Sequence, residues 1–235
     1  MRKKILISVV VPALNEEKLI GRCLAALKEQ DFSKENYEII VVDNNSWDKT
    51  AEIAKKMEVK VVRKEKKGYV FALRKGCSEA KGEIIATTDA DSQPPRGWLK
   101  TIFKAFEKDS QVVCVGGGTI HKNKNFMAVL IELIYNVSGP VFKTFPGYNL
   151  AFKKSAYDKI GGFREEVNMC GDTELCLRLQ KRGKMVFLKD NKVVTSSRRF
   201  TNPGSTSYTL KGMINIICLV LFKKTLFFEF GDIRD

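Results

Sequence analysis

The chain has 235 residues, 44% of them hydrophobic, which suits one large domain with a single sizeable core. Its 41 Lys and Arg against 27 Asp and Glu give a formal net charge of +14, favouring a polyanionic partner such as nucleic acid, an anionic membrane surface or phosphorylated small molecules, or else a lysine-rich solvated surface. Six cysteines without a Cys-x-x-Cys pair and one histidine, His121, argue against a zinc site and for buried, reduced thiols.

Met1-Arg-Lys-Lys leads directly into a strand-like run, Ile5 to Val11, so no signal peptide is read at the start. That run is apolar almost throughout and is expected to end at Pro12, as a strand buried on both faces. Helical spacing follows from Glu16 to Gln30, through Leu19, Ile20, Cys23, Leu24 and Leu27. Strands are predicted at 37–42, 59–63, 83–88 and 111–115, with helices at 48–57, 69–80 and 98–107 between them. This alternation predicts an α/β fold with a mostly parallel sheet covered by helices.

Beyond residue 120 the pattern loosens. His121 to Asn125 reads as a loop, and the apolar stretch 126–145 is interrupted by Glu132, Asn136 and Gly139-Pro140. A strand is expected at 146–152, then a short helix with capping-box spacing from Ser155 to Asp158, stopped by Gly161-Gly162. A helix over 172–182 and short strands at 185–188 and 192–195 follow. Residues 210–230 are apolar on nearly every side but are broken by Lys223-Lys224. This tail is too interrupted for a membrane span and suits a helix lying in a membrane interface, or one packed on the body or on a second subunit.

The chemistry concentrates at the ends of strands. Asp89 and Asp91 follow the predicted fourth strand, where residues i and i+2 share a face and open α/β sheets bind ligands. Two carboxylates so placed suit a hard divalent cation against a diphosphate, although a lone acidic pair is more often a solvated loop. Asp43 ends the second strand and is placed to accept from a base or ribose; taken alone it is a turn residue. Glu16 follows the first strand and could merely complement a helix dipole. Together these four acids repel one another unless a cation is present. The Gly116-Gly117-Gly118 run lacks the lysine and spacing of a phosphate-binding loop, and Lys66-Lys67-Gly68 reads as a solvated turn.

Pro12-Ala-Leu-Asn-Glu16, Val42-Asp-Asn-Asn-Ser46, the stretch from Gly76 to Glu83, and Thr88-Asp-Ala-Asp91 resemble family 2 glycosyltransferases of the GT-A fold. The resemblance continues in order through Pro146-Gly-Tyr-Asn-Leu-Ala-Phe152, Ile160-Gly-Gly-Phe163 and Gly171-Asp-Thr-Glu-Leu175, covering roughly residues 5 to 200. It implies a Rossmann-like GT-A domain over residues 1–208, and the apolar stretch beyond is expected as a helical tail over 209–235. It also implies metal-dependent, inverting transfer of one sugar from a nucleotide-sugar donor. Asp43 would read the base, with Asn45 beside it, and Pro12, Leu14, Asn15 and Glu16 would line the nucleotide pocket. Asp91, helped by Asp89 and flanked by Ala90, would hold Mg²⁺ or Mn²⁺ on the diphosphate. Asp172 stands where the family has its general base, and Gly171 replaces the Glu that usually precedes it. Arg198 and Arg199 match a Ser-Arg-Arg element suited to a donor diphosphate or a lipid-phosphate acceptor.

The apolar segment 126–145 and the tail favour a lipid-linked acceptor over a soluble one and a peripheral enzyme at the inner face of the cell membrane, with a tail able to pair two copies. The rivals are an inactive nucleotide-sugar-binding subunit and a basic nucleic-acid-binding protein. The second is disfavoured because the basic residues are spread along the chain, so no nucleic acid is expected.

Overall fold

The computed structural model describes residues 5–122, 125–167, 169–198, 205–222 and 224–226. A seven-stranded sheet runs through the molecule in the order β3-β2-β1-β4-β6-β5-β7. Its strands are β1 (Ile7–Ala13), β2 (Tyr37–Asp43), β3 (Lys60–Arg63), β4 (Ile84–Thr87), β5 (Val112–His121), β6 (Leu150–Lys153) and β7 (Lys184–Thr195). β6 is antiparallel to both neighbours, and every other pairing is parallel.

Helices cover both faces: α1 (Ile20–Lys28), α2 (Thr50–Lys56), α3 (Tyr69–Glu79), α4 (Trp98–Lys108), α5 (Phe126–Phe142), α6 (Lys154–Lys159), α7 (Gly171–Leu179) and α8 (Ser205–Phe222). The two-residue period of the strands sorts the core into two layers. Val9, Val11, Ile39 and Val41 pack with Leu24 and Leu27 of α1 and Trp98 and Leu99 of α4. Val10, Ile40, Val42 and Ile85 pack on the other face with Leu73 of α3 and Leu175 and Leu179 of α7. Strands apolar on both faces are therefore what this sheet requires.

Pro12 does not end β1, which continues through it to Ala13 beside β2. Ala13 O accepts from Asn44 N on the β2 side, so Pro12 faces β4, whose last rung is Thr88 N to Val10 O. The missing N–H thus falls where no partner strand remains. The helix expected from Glu16 starts at Ile20. Asn15 is left-handed at φ 53°, and the amides of Glu16 and Glu17 donate to the Thr50 hydroxyl (2.7 Å) and the Asp48 carboxylate (3.0 Å). These bonds tie the segment to the start of α2.

The second half departs further from expectation. The strand expected to end at Val115 continues through the three glycines to His121, which belongs to β5 rather than to a loop and is buried. A Cβ at Gly116 would stand 2.1 Å from Phe145 Cγ, one at Gly117 2.2 Å from Asn191 O, and one at Gly118 2.3 Å from Asn136 Oδ1. The run is a close-packing device. β6 pairs with β5 only at Cys114, Val115 and Gly116. Past that point α5 supplies partners: Asn136 accepts from Thr119 N (3.0 Å) and donates to Thr119 O (3.1 Å), while Glu132 accepts from His121 N (3.0 Å).

Gly139 and Pro140 lie inside α5, in its last turn, rather than breaking it. The chain then makes a short 3₁₀ turn, Gly147–Asn149, before β6, so the expected strand starts later, at Leu150. Ser155 caps nothing: α6 begins at Lys154 without a side-chain cap. The helix expected over 172–182 closes at Leu179, and the two short strands expected near the end are one, β7. α8 packs on α7, where the Cys170 thiol donates to Gly212 O (3.6 Å) and Leu219 and Asn215 are buried. No helix among the described residues is long and apolar enough to cross a membrane.

Candidate active site

The carboxyl ends of β1, β2 and β4 gather the acidic residues at one edge, and their loops are cross-linked. Asn15 N donates to Ser46 Oγ (3.0 Å), Trp47 N to Asn15 Oδ1 (3.1 Å), and Ser46 N to Asp43 Oδ1 (3.2 Å). Asp43 is buried, as are Pro12 and Leu14. Asn44 turns inward, donating to Lys64 O and Lys66 O and accepting from Gly68 N, so it braces the cradle from below. Asn45, left-handed at φ 68°, accepts from Arg63 Nη2 (2.8 Å) on the outer side. Burial alone would raise the Asp48 pKa. Hydrogen bonds from the Thr50 hydroxyl and the amides of Glu17 and Thr50 outweigh that effect and lower it.

Asp89 and Asp91 do not extend a strand. β4 stops at Thr87, and Ser92 N donates to Asp89 O (3.0 Å), closing a turn around the acidic pair. The shared face expected from strand alternation gives way to two separate partners. Asp89 Oδ1 accepts from Tyr69 Oη (2.8 Å). Asp91 Oδ1 lies within 3.3–3.4 Å of the Ser92 and Thr195 hydroxyls, while its Oδ2 is 3.4 Å from Arg198 Nη2. The methyl of Ala90 packs into the core beneath the turn, so contact with any ligand there falls to its backbone.

Arg198 also pairs with Glu16, a buried carboxylate, and so joins the end of β1 to the turn after β4. The crowding of negative charge registers on Cys23, whose thiol donates to Asp89 O. Its pKa is pushed far up, first by burial and then by Asp91, Asp89 and Glu16. Arg199 lies outside the described residues.

Asp172 sits in the first turn of α7, behind Cys170, which is left-handed at φ 62°. Its Oδ2 accepts from Gly147 N (2.7 Å) and its Oδ1 from Thr173 N (2.8 Å). A Cβ on Gly147 would stand 2.5 Å from Tyr69 Oη and 3.5 Å from Asp172 Oδ2. The Thr87 hydroxyl donates to Gly147 O (2.5 Å). Gly147 and Tyr69 therefore bring Asp172 to the same edge as Asp89. Sequence reasoning passed over Tyr69; its only local signal is an aromatic opening a helix directly after Gly68. It also passed over Trp47, which is 77% exposed beside the Asp43 loop.

Among the described residues no three His, Cys, Asp or Glu side chains converge as a metal cage. Asp89 and Asp91 offer two hard oxygen donors, and Asp91 already faces a cation in Arg198. Mg²⁺ or Mn²⁺ against a diphosphate needs only one or two carboxylates, with phosphate oxygens and water completing the shell. The donor set fits such an ion.

A protein-family model described as glycosyl transferase family 2 matches residues 8–163. A dolichyl N-acetyl-alpha-D-glucosaminyl phosphate 3-beta-D-2,3-diacetamido-2,3-dideoxy-beta-D-glucuronosyltransferase of Methanococcus voltae is 32% identical over 141 residues, 55% of this chain and 44% of that protein. A dolichol-phosphate mannosyltransferase of Pyrococcus furiosus is 36% identical over 139 residues, 54% of this chain and 38% of that protein. The chain thus spans less than half the length of these two relatives. The crystallised mannosyltransferase PcManGT of Pyrobaculum calidifontis, in complex with GDP-Man and Mn²⁺, superposes with a TM-score of 0.73 at 23% identity, over 93% of this chain and 64% of that one. That likeness establishes the GT-A fold, a mixed α/β sheet flanked by helices. With the family model spanning most of the sheet and its acidic edge, the chain belongs to glycosyl transferase family 2.

Proposed function

We propose that the protein transfers one sugar from a nucleotide-diphosphate sugar to an acceptor hydroxyl or lipid phosphate, with inversion at the anomeric carbon. The observation that carries this is the joining of Asp172 to the Asp89–Asp91 turn through Gly147 and Tyr69. Asp43 receives the base, and the walls from Pro12, Leu14, Asn15 and Glu16, with Asn45 at the rim, enclose the nucleoside. Asp91, with Asp89 as helper, would hold Mg²⁺ or Mn²⁺, which when bound would supply positive charge to the diphosphate leaving group. Arg198 is placed between Glu16 and Asp91, where a guanidinium can meet phosphate oxygens; Arg199 is assigned to the same task from sequence alone.

Asp172 takes the proton of an acceptor hydroxyl as the new bond to the anomeric carbon forms and the bond to the diphosphate breaks. Its two backbone hydrogen bonds fix the carboxylate in place. A lipid-phosphate acceptor arrives already ionised and needs no base, so the two acceptor classes make different demands on Asp172. The dolichyl substrates in the relatives' names support the lipid class. We place the enzyme peripherally at the inner face of the cell membrane, with residues 209–235 as an apolar tail whose described part, in α8, is docked on α7.

The test is a panel of nucleotide-sugars screened by thermal shift with Mn²⁺, since a ligand bound only by the folded state raises its melting temperature. A donor that stabilises wild type but not Asp91→Asn supports the proposed site. Stabilisation without sugar transfer to hydroxyl or lipid-phosphate acceptors would point to the inactive nucleotide-sugar-binding subunit.

A further inference from the structure

Helix α5 faces the wrong way for a surface helix. Its polar residues Glu132 and Asn136 turn inward, where they complete the hydrogen bonding of β5 beyond the reach of β6. Its outward side carries Phe126, Val129, Leu133, Val137, Val141 and Phe142, spaced mostly three or four residues apart along one side. Phe126 is 79% exposed and Val141 68%. The helix cannot roll to bury them, because rolling would break three bonds to Thr119 and His121 and leave β5 backbone groups unsatisfied. Close packing locks the orientation too: a Cβ on Gly118 would meet Asn136, and one on Gly139 would stand 3.0 Å from Phe187. The exposed apolar face is therefore built in, and contiguous apolar surface of this kind marks an interaction site.

We propose that this face of α5 seats the protein on an anionic phospholipid bilayer. Charge selects the occupant. Lys122 is exposed just before the helix, Lys143 ends it in a left-handed conformation, and Lys192 is exposed beside Gly118. All exposed residues of α5 are uncharged. An apolar stripe edged with lysines matches the acyl and headgroup layers of an anionic leaflet. Two copies of the same basic face would repel, in a chain whose formal charge is +14. The helix, 17 residues or about 25 Å long, lies along the interface instead of crossing it.

The placement deepens the lipid-acceptor reading and rests on that reading only for its consequence at the site. Phe142 O and Lys143 O, at the end of α5, accept from Gln180 Nε2, just past α7. The chain then passes the buried Phe145 to Gly147, whose amide holds Asp172. The surface resting on lipid runs directly into the loop that positions the proposed base, so an acceptor carried in the bilayer would be presented from that side.

The experiment is co-sedimentation of the full chain with phosphatidylglycerol–phosphatidylcholine vesicles and with phosphatidylcholine alone. The triple variant Val129→Ser, Leu133→Ser, Val137→Ser should lose about tenfold or more of its binding to the anionic vesicles while its melting temperature holds. Nucleoside diphosphate binding with Mn²⁺ should be unchanged in the variant, which separates this outcome from failure of the transferase reading. If the triple variant melts early, Leu133→Ser alone is expected to weaken binding in the same direction. Undiminished binding by a folded variant, or equal binding of wild type to neutral vesicles, would overturn the proposal. A wild-type dimer that becomes a monomer in the variant, with vesicle binding intact, would assign the face to a second copy instead.

Discussion

The two halves of the sheet meet the same burial requirement in opposite ways. Around β1, β2 and β4 the strands are apolar on both faces, and α1 and α3 lay apolar sides against them. Around β5 three glycines thin the strand, and α5 offers it hydrogen-bonding groups. The first arrangement makes a rigid cradle whose polar residues are left for the strand ends, where a donor would bind. The second spends its polar side chains on the interior, so apolar ones remain for the surface. Asn149 shows how tightly the second half is still tied: it accepts from the Trp98 indole (2.9 Å) and donates to Gly118 O (2.8 Å) and Asn191 O (2.7 Å). It joins α4, β5 and β7 from one buried position.

The largest effect is expected where the halves meet. Asp172→Asn should lower turnover on a hydroxyl acceptor by about 10²–10⁴-fold, the usual contribution of a general base, with donor affinity kept. Measured on a lipid-phosphate acceptor the loss should be far smaller, so the pair of rates sorts the acceptor class. Full activity on a hydroxyl acceptor would remove Asp172 from the base position. Asp91→Asn acts on the donor half alone. It should weaken Mn²⁺-dependent nucleoside diphosphate binding by about 10–100-fold in calorimetry, because the neutral carboxamide is a poorer partner for a hard cation than a carboxylate. Metal-dependent affinity equal to wild type would sink the assignment.

Glycines separate the halves next. Gly116→Ala puts a methyl against the Phe145 ring and should cost about 1–3 kcal/mol in urea unfolding, since overpacking forces backbone shifts. Gly21→Ala, in α1, meets nothing nearer than Ile53 Cγ2 at 3.8 Å and should stabilise by about 0.5–1 kcal/mol. If both variants destabilised alike, the contrast in packing would fail.

The same contrast explains what was legible in the sequence. In the first half each element advertises itself locally, because a strand covered on both faces must be apolar throughout and a covering helix must carry a stripe. The acidic strand ends, Glu16, Asp43, Asp89 and Asp91, could be picked out for that reason. In the second half His121 looked like loop and the glycines lay past the expected end of a strand, because polarity and small size usually mean solvent. Here they mean contact with a helix whose polar side is turned in. Tyr69 escaped notice because its role is set by two partners, Asp89 and Gly147, that are respectively 20 and 78 residues away. The Arg198 bond to Glu16 spans 182 residues, a separation at which no local pattern exists.

The smallest effect tests how the donor half holds its outer edge. Glu79, near the end of α3, accepts from Lys60 of β3 and Lys75 of its own helix, each at 2.7 Å. The two ammonium hydrogen bonds hold its carboxyl at about 2, against 4.5 for an ordinary glutamate. A carboxyl whose pKa falls on folding adds stability that is fully present above the unfolded value and fades as pH drops from about 4.5 towards 2. Urea melts of wild type and Glu79→Gln should therefore differ at pH 7 and converge as the pH approaches 2, with the gap shrinking on added salt because the pair is partly exposed. An unchanged gap across that window would mean that Glu79 acts by packing. The outward face of α5 holds no such charged pair, so serine variants there should show no matching pH dependence. The β1–β4 half is thus pinned at its rim by charge, whereas the α5 side keeps an apolar outer surface.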